Sequence, residues 1–229
     1  MAQIMLTKIE LMKTKHLLAL AAGSLLCLAV SAQSKTTFGV RAGVNFQNIT
    51  GDDAQGNSMD NKLKVGFLAG VNAEIPMGID FYLQPGVVYA MKGAKANGSD
   101  DKVNLSYIEV PVNFLYKPEV GTGRVLLGIG PYIAFGVGGK IKPENGSDVD
   151  ITFKNTISQA EATTGYGTYF KRIDAGGNLL FGYEMSNNLS VQLNAQLGLV
   201  KINPKIEGVS NDESSWKNTG FGVSLGYRF

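Results

Sequence analysis

From Thr37 onward the chain alternates apolar and polar residues with a period of two, and the pattern recurs eight times. In the first segment Phe38, Val40, Ala42, Val44 and Phe46 alternate with Gly39, Arg41, Gly43 and Asn45. In the second, Leu63, Val65, Phe67, Ala69, Val71, Ala73 and Ile75 alternate with Lys64, Gly66, Leu68, Gly70, Asn72 and Glu74. Successive side chains of a strand point to opposite faces, so each segment predicts a strand with one apolar face. The others run near 81–91, 108–116, 125–137, 173–185, 189–199 and 221–229, and no segment shows a helical period.

The connections alternate between short and long, over roughly 48–61, 77–79, 93–104, 118–123, 139–168, 186–188 and 203–216. The long ones, such as GDDAQGNSMDN and KIKPENGSDVD, are polar and turn-forming, and all fall at one end. The pattern predicts an all-β fold: an eight-stranded antiparallel up-and-down transmembrane β-barrel with short periplasmic turns and long extracellular loops.

Alternation alone does not say which face is inside. A soluble ligand-carrying barrel would hide its apolar face in the lumen. Here the polar face is crowded with glycine, including Gly39, Gly43, Gly66, Gly70, Gly182, Gly222 and Gly226. Facing water, glycine would only weaken a strand, whereas in a narrow lumen it leaves room for long charged neighbours. The apolar face is bulky and long enough for the ~9–11 tilted residues that cross a bilayer, so it is read as lipid-facing. Aromatics sort by strand polarity: Phe38, Phe81, Phe114, Tyr116, Phe181, Tyr183, Tyr227 and Phe229 lie toward the short turns, and Phe46, Tyr89, Phe135 and Phe221 toward the long loops. Two interfacial belts are expected of a membrane barrel. Closure requires the last strand to pair with the first, and Leu225, Tyr227 and Phe229 resemble a C-terminal signal read by barrel assembly machinery.

The N-terminal region reads differently. A basic stretch at Lys13–Lys15 precedes an apolar run from Leu17 to Val30 and the small residues Ser31 and Ala32, which is the pattern of a secretory leader. The run is shorter than the about 20 residues a membrane-spanning helix needs. Residues 1–32 are therefore expected to be a signal peptide, with Met12 as its start, and residues 33–229 the barrel domain. Removing Lys8, Lys13, Lys15 and Glu10 from 21 basic and 19 acidic residues leaves 18 of each, so the mature chain is formally neutral. That removes the cationic face nucleic acid would require. The leader also takes the only cysteine, Cys27, and the only histidine, His16.

Several stretches resemble one family, the outer-membrane β-barrel proteins of Bacteroidetes-type Gram-negative bacteria, including the PorT-like group and other small porin-like barrels. They are FGVRAGVNF at 38–46, YIEVPVNFLYK at 107–117, GIGPYIAFGVGG at 128–139, RIDAGGNLLFGYE at 172–184 and the terminal GYRF. The resemblance spans the mature chain and implies architecture rather than activity, because these motifs are motifs of the barrel wall. Pro85, Pro111 and Pro131 fall inside expected strands, where a residue without an N–H should produce a bulge or a local break in the ladder.

Catalytic chemistry is scarce. Without histidine or cysteine there is no Ser-His or Cys-His pair and no His/Cys metal site, the glycines at 128–136 do not fit G-x-G-x-x-G, and no acidic loop has EF-hand spacing. No enzyme activity, metal or cofactor is expected. Ionisable residues on the predicted lumen face are Arg41, Lys64, Glu74, Glu109, Lys117, Arg124, Arg172, Asp174, Glu184 and Arg228. They form either a mutually neutralising charge network, since an eight-stranded lumen is filled by side chains, or a polar path in which Glu109 and Asp174 act as acid and base. The longest loop, 139–168, and its return offer Tyr166, Tyr169 and Phe170 as contact anchors, or else the loop plugs the barrel mouth. The sequence thus predicts a monomeric outer-membrane scaffold, embedded in outer-membrane lipid, whose loops meet an extracellular or envelope partner. A narrow channel and an accessory of a secretion or surface-assembly machine are the alternatives.

Overall fold

The computed structural model describes residues 35–209 and 212–229. The expected leader, residues 1–32, lies outside them. Eight long strands form: β1 (Thr37–Asp52), β2 (Lys64–Gly78), β3 (Phe81–Ala96), β4 (Lys102–Tyr116), β5 (Gly123–Lys142), β6 (Ile173–Glu184), β7 (Leu189–Gly198) and β8 (Ser215–Arg228). Each pairs antiparallel with its neighbour in sequence, and β8 pairs with β1, which closes the barrel. The seam runs from Gly39 opposite Arg228 to Asp52 opposite Ser215, and the backbone N–H of Phe229 donates to Phe38 O at 2.8 Å. No strand edge is left along the wall.

Short turns alternate with long loops as expected. Asp80 and Asn188, both in short turns, adopt left-handed φ values of 62° and 66°, a conformation Asp and Asn tolerate better than most residues. Several strands outrun their apolar stretches at the long-loop end. β3 continues to Ala96, β4 begins at Lys102 and β5 reaches Lys142, so much of what reads as polar loop is ladder instead. A ladder depends on backbone pairing, which continues under polar side chains once the strand has left the apolar layer.

Facing follows the alternation. Phe38, Val65, Leu193, Leu197 and Leu225 point outward and are exposed, while Glu74, Lys92, Glu109 and Asp174 are buried inside. The expected aromatic belts take shape as neighbouring rings on the outer wall. Phe81 stacks on Tyr116 and Phe114 near the short turns, Tyr227 meets Phe229 edge-on, and Phe46 stacks on Phe221 nearer the loops. Inside, glycine makes room: a Cβ on Gly39 would lie 2.9 Å from the Arg228 guanidinium carbon, and one on Gly220 would lie 2.6 Å from Gln47 Cδ.

Pro85, Pro111 and Pro131 each coincide with a gap in one ladder and no change of register across it, whereas Pro76 stays paired with Tyr82 and the β2–β3 register shifts just beyond it, before Gly78. The β2–β3 pairing lapses between Asn72–Gly86 and Ile75–Leu83, around Pro85. The β3–β4 pairing lapses between Pro85–Val112 and Val88–Glu109, around Pro111. The β4–β5 pairing lapses between Pro111–Tyr132 and Phe114–Ile129, around Pro131. The missing N–H of each ring removes a rung while the flanking residues hold the alignment.

Candidate functional site

The lumen holds two layers of charge. In the layer nearer the short turns, Lys117 Nζ lies 2.7 Å from Glu74 Oε2 and 3.0 Å from Glu184 Oε2, and Arg228 Nη2 donates to Glu74 Oε1 at 2.5 Å. Gln84 Nε2 also donates to Glu74, Asn113 to Gln84 and Asn178 to Asn113, so amide groups carry the network across the lumen. The Lys117 ammonium faces the Tyr82 ring as well, 5.3 Å from its centroid.

The second layer is centred on Lys92. Its Nζ lies 2.5 Å from Glu109 Oε1 and 3.0 Å from Asp174 Oδ2. It stands 4.3 Å from the centroid of the Tyr132 ring, a cation–π distance. Gln196 Nε2 donates to Glu109 and Asn218 Nδ2 to Asp174, each at 3.0 Å. Buried charge is costly unless paired and hydrogen-bonded, and every member of this trio is. The arrangement sets two carboxyl groups, from β4 and β6, against one lysine.

Above Lys92 the lumen turns apolar. Ile49, Leu105, Tyr107 and Tyr132 from the wall pack with Ile151, Phe170 and Ile202 from the loops, and Phe153 and Trp216 pack against this cluster. The loop between β5 and β6 therefore turns inward. It carries short strands, Thr152–Phe153 pairing in parallel with Tyr169–Phe170, and Thr156–Ile157 pairing in parallel with Lys205–Ile206 of the last loop. It also carries a helix, α1 (Gln159–Gly165). The N–H of Ser158 donates to Glu161 Oε2 at 3.0 Å and the N–H of Glu161 donates to Ser158 Oγ at 3.3 Å, which is a capping box. This helix corrects the expectation of no helical segment. It is too short for a hydrophobic period, and its one signal in the sequence is the Ser-x-x-Glu spacing.

Most of the predicted lumen residues do face inward: Arg41, Lys64, Glu74, Glu109, Lys117, Asp174, Glu184 and Arg228. Arg41 lies within electrostatic range of Glu109, and Lys64 Nζ is buried with no hydrogen-bond partner among the described residues. Two do not join. Arg124 sits at the short-turn rim, donating to Tyr82 Oη at 3.0 Å and to the exposed Glu119 at 2.9 Å. Arg172 is exposed, with its guanidinium 5.3 Å from the Phe153 ring centroid, because β6 begins at Ile173 and the alternation that places Asp174 inside has not yet started. Lys92 was missed by stopping the third strand near Met91, although Gln84, Gly86, Val88, Ala90 and Lys92 continue one face. Of the loop anchors, Phe170 is a correction: it is 1% exposed and packs on Trp216 with centroids 5.5 Å apart. Tyr169 is half-buried beside Lys154, and the side chain of Tyr166 lies outside the described residues. Among the described residues no group of three or more His, Cys, Asp or Glu side chains could hold a metal ion.

Comparison with known proteins places this architecture. Residues 31–203, well over half the chain, match the family described as "Outer membrane protein beta-barrel domain". The chain belongs to the outer-membrane β-barrel family. Among solved structures, this outer-membrane barrel is similar to neisserial surface protein A, at 15% identity over 86% of this chain and 100% of that one, TM-score 0.44. It is also similar to Ail, the attachment invasion locus protein of Yersinia pestis, solved with the heparin analogue sucrose octasulfate, at 12% identity over 86% and 100%, TM-score 0.41. OprG of Pseudomonas aeruginosa is similar at 12% identity over 84% and 95%, TM-score 0.41. No curated protein matches the chain. The protein is thus an outer-membrane β-barrel with an outward apolar wall.

Proposed function

We propose that this protein is a non-enzymatic, monomeric scaffold whose barrel is closed to bulk flow and whose long-loop end, outside the cell, is its binding surface. The observation that carries the reading is the stack of a buried ion trio at Lys92 under an apolar cap of Ile151, Phe170 and Ile202. A conducting pore keeps a continuous polar path, whereas here apolar side chains from two loops lie across the mouth. With the interior occupied, the surface left for recognition is the outer part of the loops: the exposed residues at 144–150 and the helix α1. Export by the N-terminal leader, a Gram-negative host, folding by barrel assembly machinery and the PorT-like kinship belong to the same reading and rest on the sequence motifs.

The test uses the absence of cysteine after Gln33. Ser147 lies exposed in the longest loop and Asn187 exposed in a short turn. Whole cells expressing Ser147→Cys should react with a membrane-impermeant maleimide, and cells expressing Asn187→Cys should react only after the envelope is breached. Labelling of Asn187→Cys alone in intact cells would reverse the orientation and remove the loop end as an extracellular surface.

A further inference from the structure

The loop before β6 and the last loop together gather three lysines around one recess. Lys171, Lys201 and Lys205, with Asn203, Ser214 and Asp212, line a cavity of about 300 Å³ at the long-loop end. The backbones of Lys171, Lys205 and Ile202, next to Lys201, are held by separate bonds. The N–H of Lys171 donates to Ile202 O at 2.7 Å, that of Lys205 to Asn155 O at 2.9 Å and that of Ile202 to Trp216 O at 2.8 Å. Lys201 Nζ is directed by a 3.0 Å bond to Ser214 O, and Asn203 is fixed by Ser214 Oγ at 2.8 Å. The ammoniums are therefore carried on the ordered cap rather than on a freely moving loop.

Gathering like charges opposes folding unless something offsets it. Burial, and then the neighbouring Lys205 and Lys201 ammoniums, hold the Lys171 amine below its ordinary lysine value, with Asp212 acting in the opposite direction. Among the described residues lining the recess, Asp212 is the one carboxylate set against the three lysines. Elsewhere at this end the exposed lysines stand beside carboxylates: Lys140 and Lys142 near Asp148, and Lys154 with Glu161. The recess is thus a local excess of positive charge on a chain that is neutral after Gln33. A tetrahedral oxyanion carrying more than one charge suits three ammoniums brought together from two loops, whereas a single carboxylate would be met by one or two.

We propose that the recess formed by Lys171, Lys201 and Lys205 binds a phosphate or sulfate ester at the outer face of the barrel. The proposal rests on the long-loop end being the binding end. The ester belongs either to a soluble molecule or to the headgroup of a lipid lying beside the barrel.

The sole tryptophan of the sequence, Trp216, packs on Phe170 next to Lys171 and serves as the reporter. Mature protein refolded in detergent is titrated with inorganic phosphate at fixed ionic strength, following Trp216 emission. In parallel it is placed in nanodiscs of phosphatidylcholine with or without a bisphosphorylated glycolipid, following the unfolding temperature. Saturable emission change with phosphate assigns a soluble ester, and stabilisation by the phosphorylated lipid alone assigns a headgroup. In either case K171Q/K201Q/K205Q should weaken the response by about tenfold or more, the loss of one charged hydrogen bond already amounting to that. The corresponding triple arginine variant and K140Q/K142Q should leave it largely intact. Lys205→Gln alone, an exposed position, gives the same direction of change if the triple variant does not fold. Neither probe producing a response, or the lysine-to-glutamine variants responding like the parent, would overturn the proposal. The orientation test at Ser147 and Asn187 stands apart from this result, so failure of the ester site is separable from failure of the loop-surface reading.

Discussion

The ammonium of Lys92 lies 2.5 Å from a carboxylate oxygen of Glu109, with both side chains sealed from solvent in the middle of the barrel. The same nitrogen is 3.0 Å from Asp174, so one lysine balances two carboxylates drawn from β4 and β6. Removing the lysine leaves Asp174 without its cation and Glu109 with only the more distant Arg41. Lys92→Met should cost about 3–5 kcal/mol, read as a fall in urea midpoint of the refolded protein in lipid. The triple variant K92M/E109Q/D174N removes the charges together and should recover most of the loss. A triple variant as unstable as K92M would mean that the trio matters for packing rather than for charge.

The facing of the wall predicts opposite tolerances on its two sides. Leu193 is exposed on the outer surface, whereas Leu115 is fully buried in the lumen against Leu126 and Leu180. Leu193→Arg should cost about 2–4 kcal/mol near the midplane. Leu193→Phe should cost little because lipid adapts to the larger ring, while Leu115→Phe should overpack the lumen by about 1–3 kcal/mol. Unfolding in vesicles measures all three, and a larger penalty for Leu193→Phe than for Leu115→Phe would invert the facing.

Period-two alternation made the eight strands, their facing and the closing seam legible because a strand's side-chain geometry depends on little else. The outer ends of β3, β4 and β5 were hidden by composition: Lys95, Lys102, Lys140 and Lys142 belong to strands but read as loop, and Lys92 lies just past the expected end of β3. Losing the last turns of β3 hid Lys92 and with it the neutralising centre of the site. Arg172 misled for the opposite reason, since extrapolating the alternation of β6 one step beyond Ile173 assigns it a lumen position that the loop backbone does not give it. The inward fold of the long loop depends on contacts between Phe170 and Trp216 and between Ile157 and Ile206 strands far apart in sequence, and no local pattern encodes those.

Closure at the C-terminus joins stability to assembly. The N–H of Phe229 donates to Phe38 O, and its ring meets Tyr227 at 5.2 Å between centroids. Deleting Phe229 should lower the assembled, heat-modifiable fraction in the outer membrane far more than total synthesis. Phe229→Ala, which keeps the backbone bond, should have the smaller effect. Fractionation followed by gel mobility before and after boiling decides it, and unchanged assembly of the truncated chain would contradict the role of the seam and the terminal signal.

The cap should loosen without the barrel. Phe170→Ala removes a ring that is fully buried, a change worth about 3–5 kcal/mol in a core. Limited proteolysis should then cut within residues 143–172 faster, while heat-modifiability of the barrel persists. Loss of the folded barrel together with the loop would show that cap and wall unfold as one unit.

The most direct test of a closed scaffold is conductance across a planar lipid bilayer. The intact protein should show no reproducible stepwise conductance, because Lys92, Glu109 and Asp174 fill the lumen beneath the cap formed with Ile151, Phe170 and Ile202. Replacing residues 141–165 with a short Gly/Ser link should raise ion leakage while leaving the barrel heat-modifiable. Stable, uniform conductance steps from the intact protein would contradict the account and make the lumen a channel.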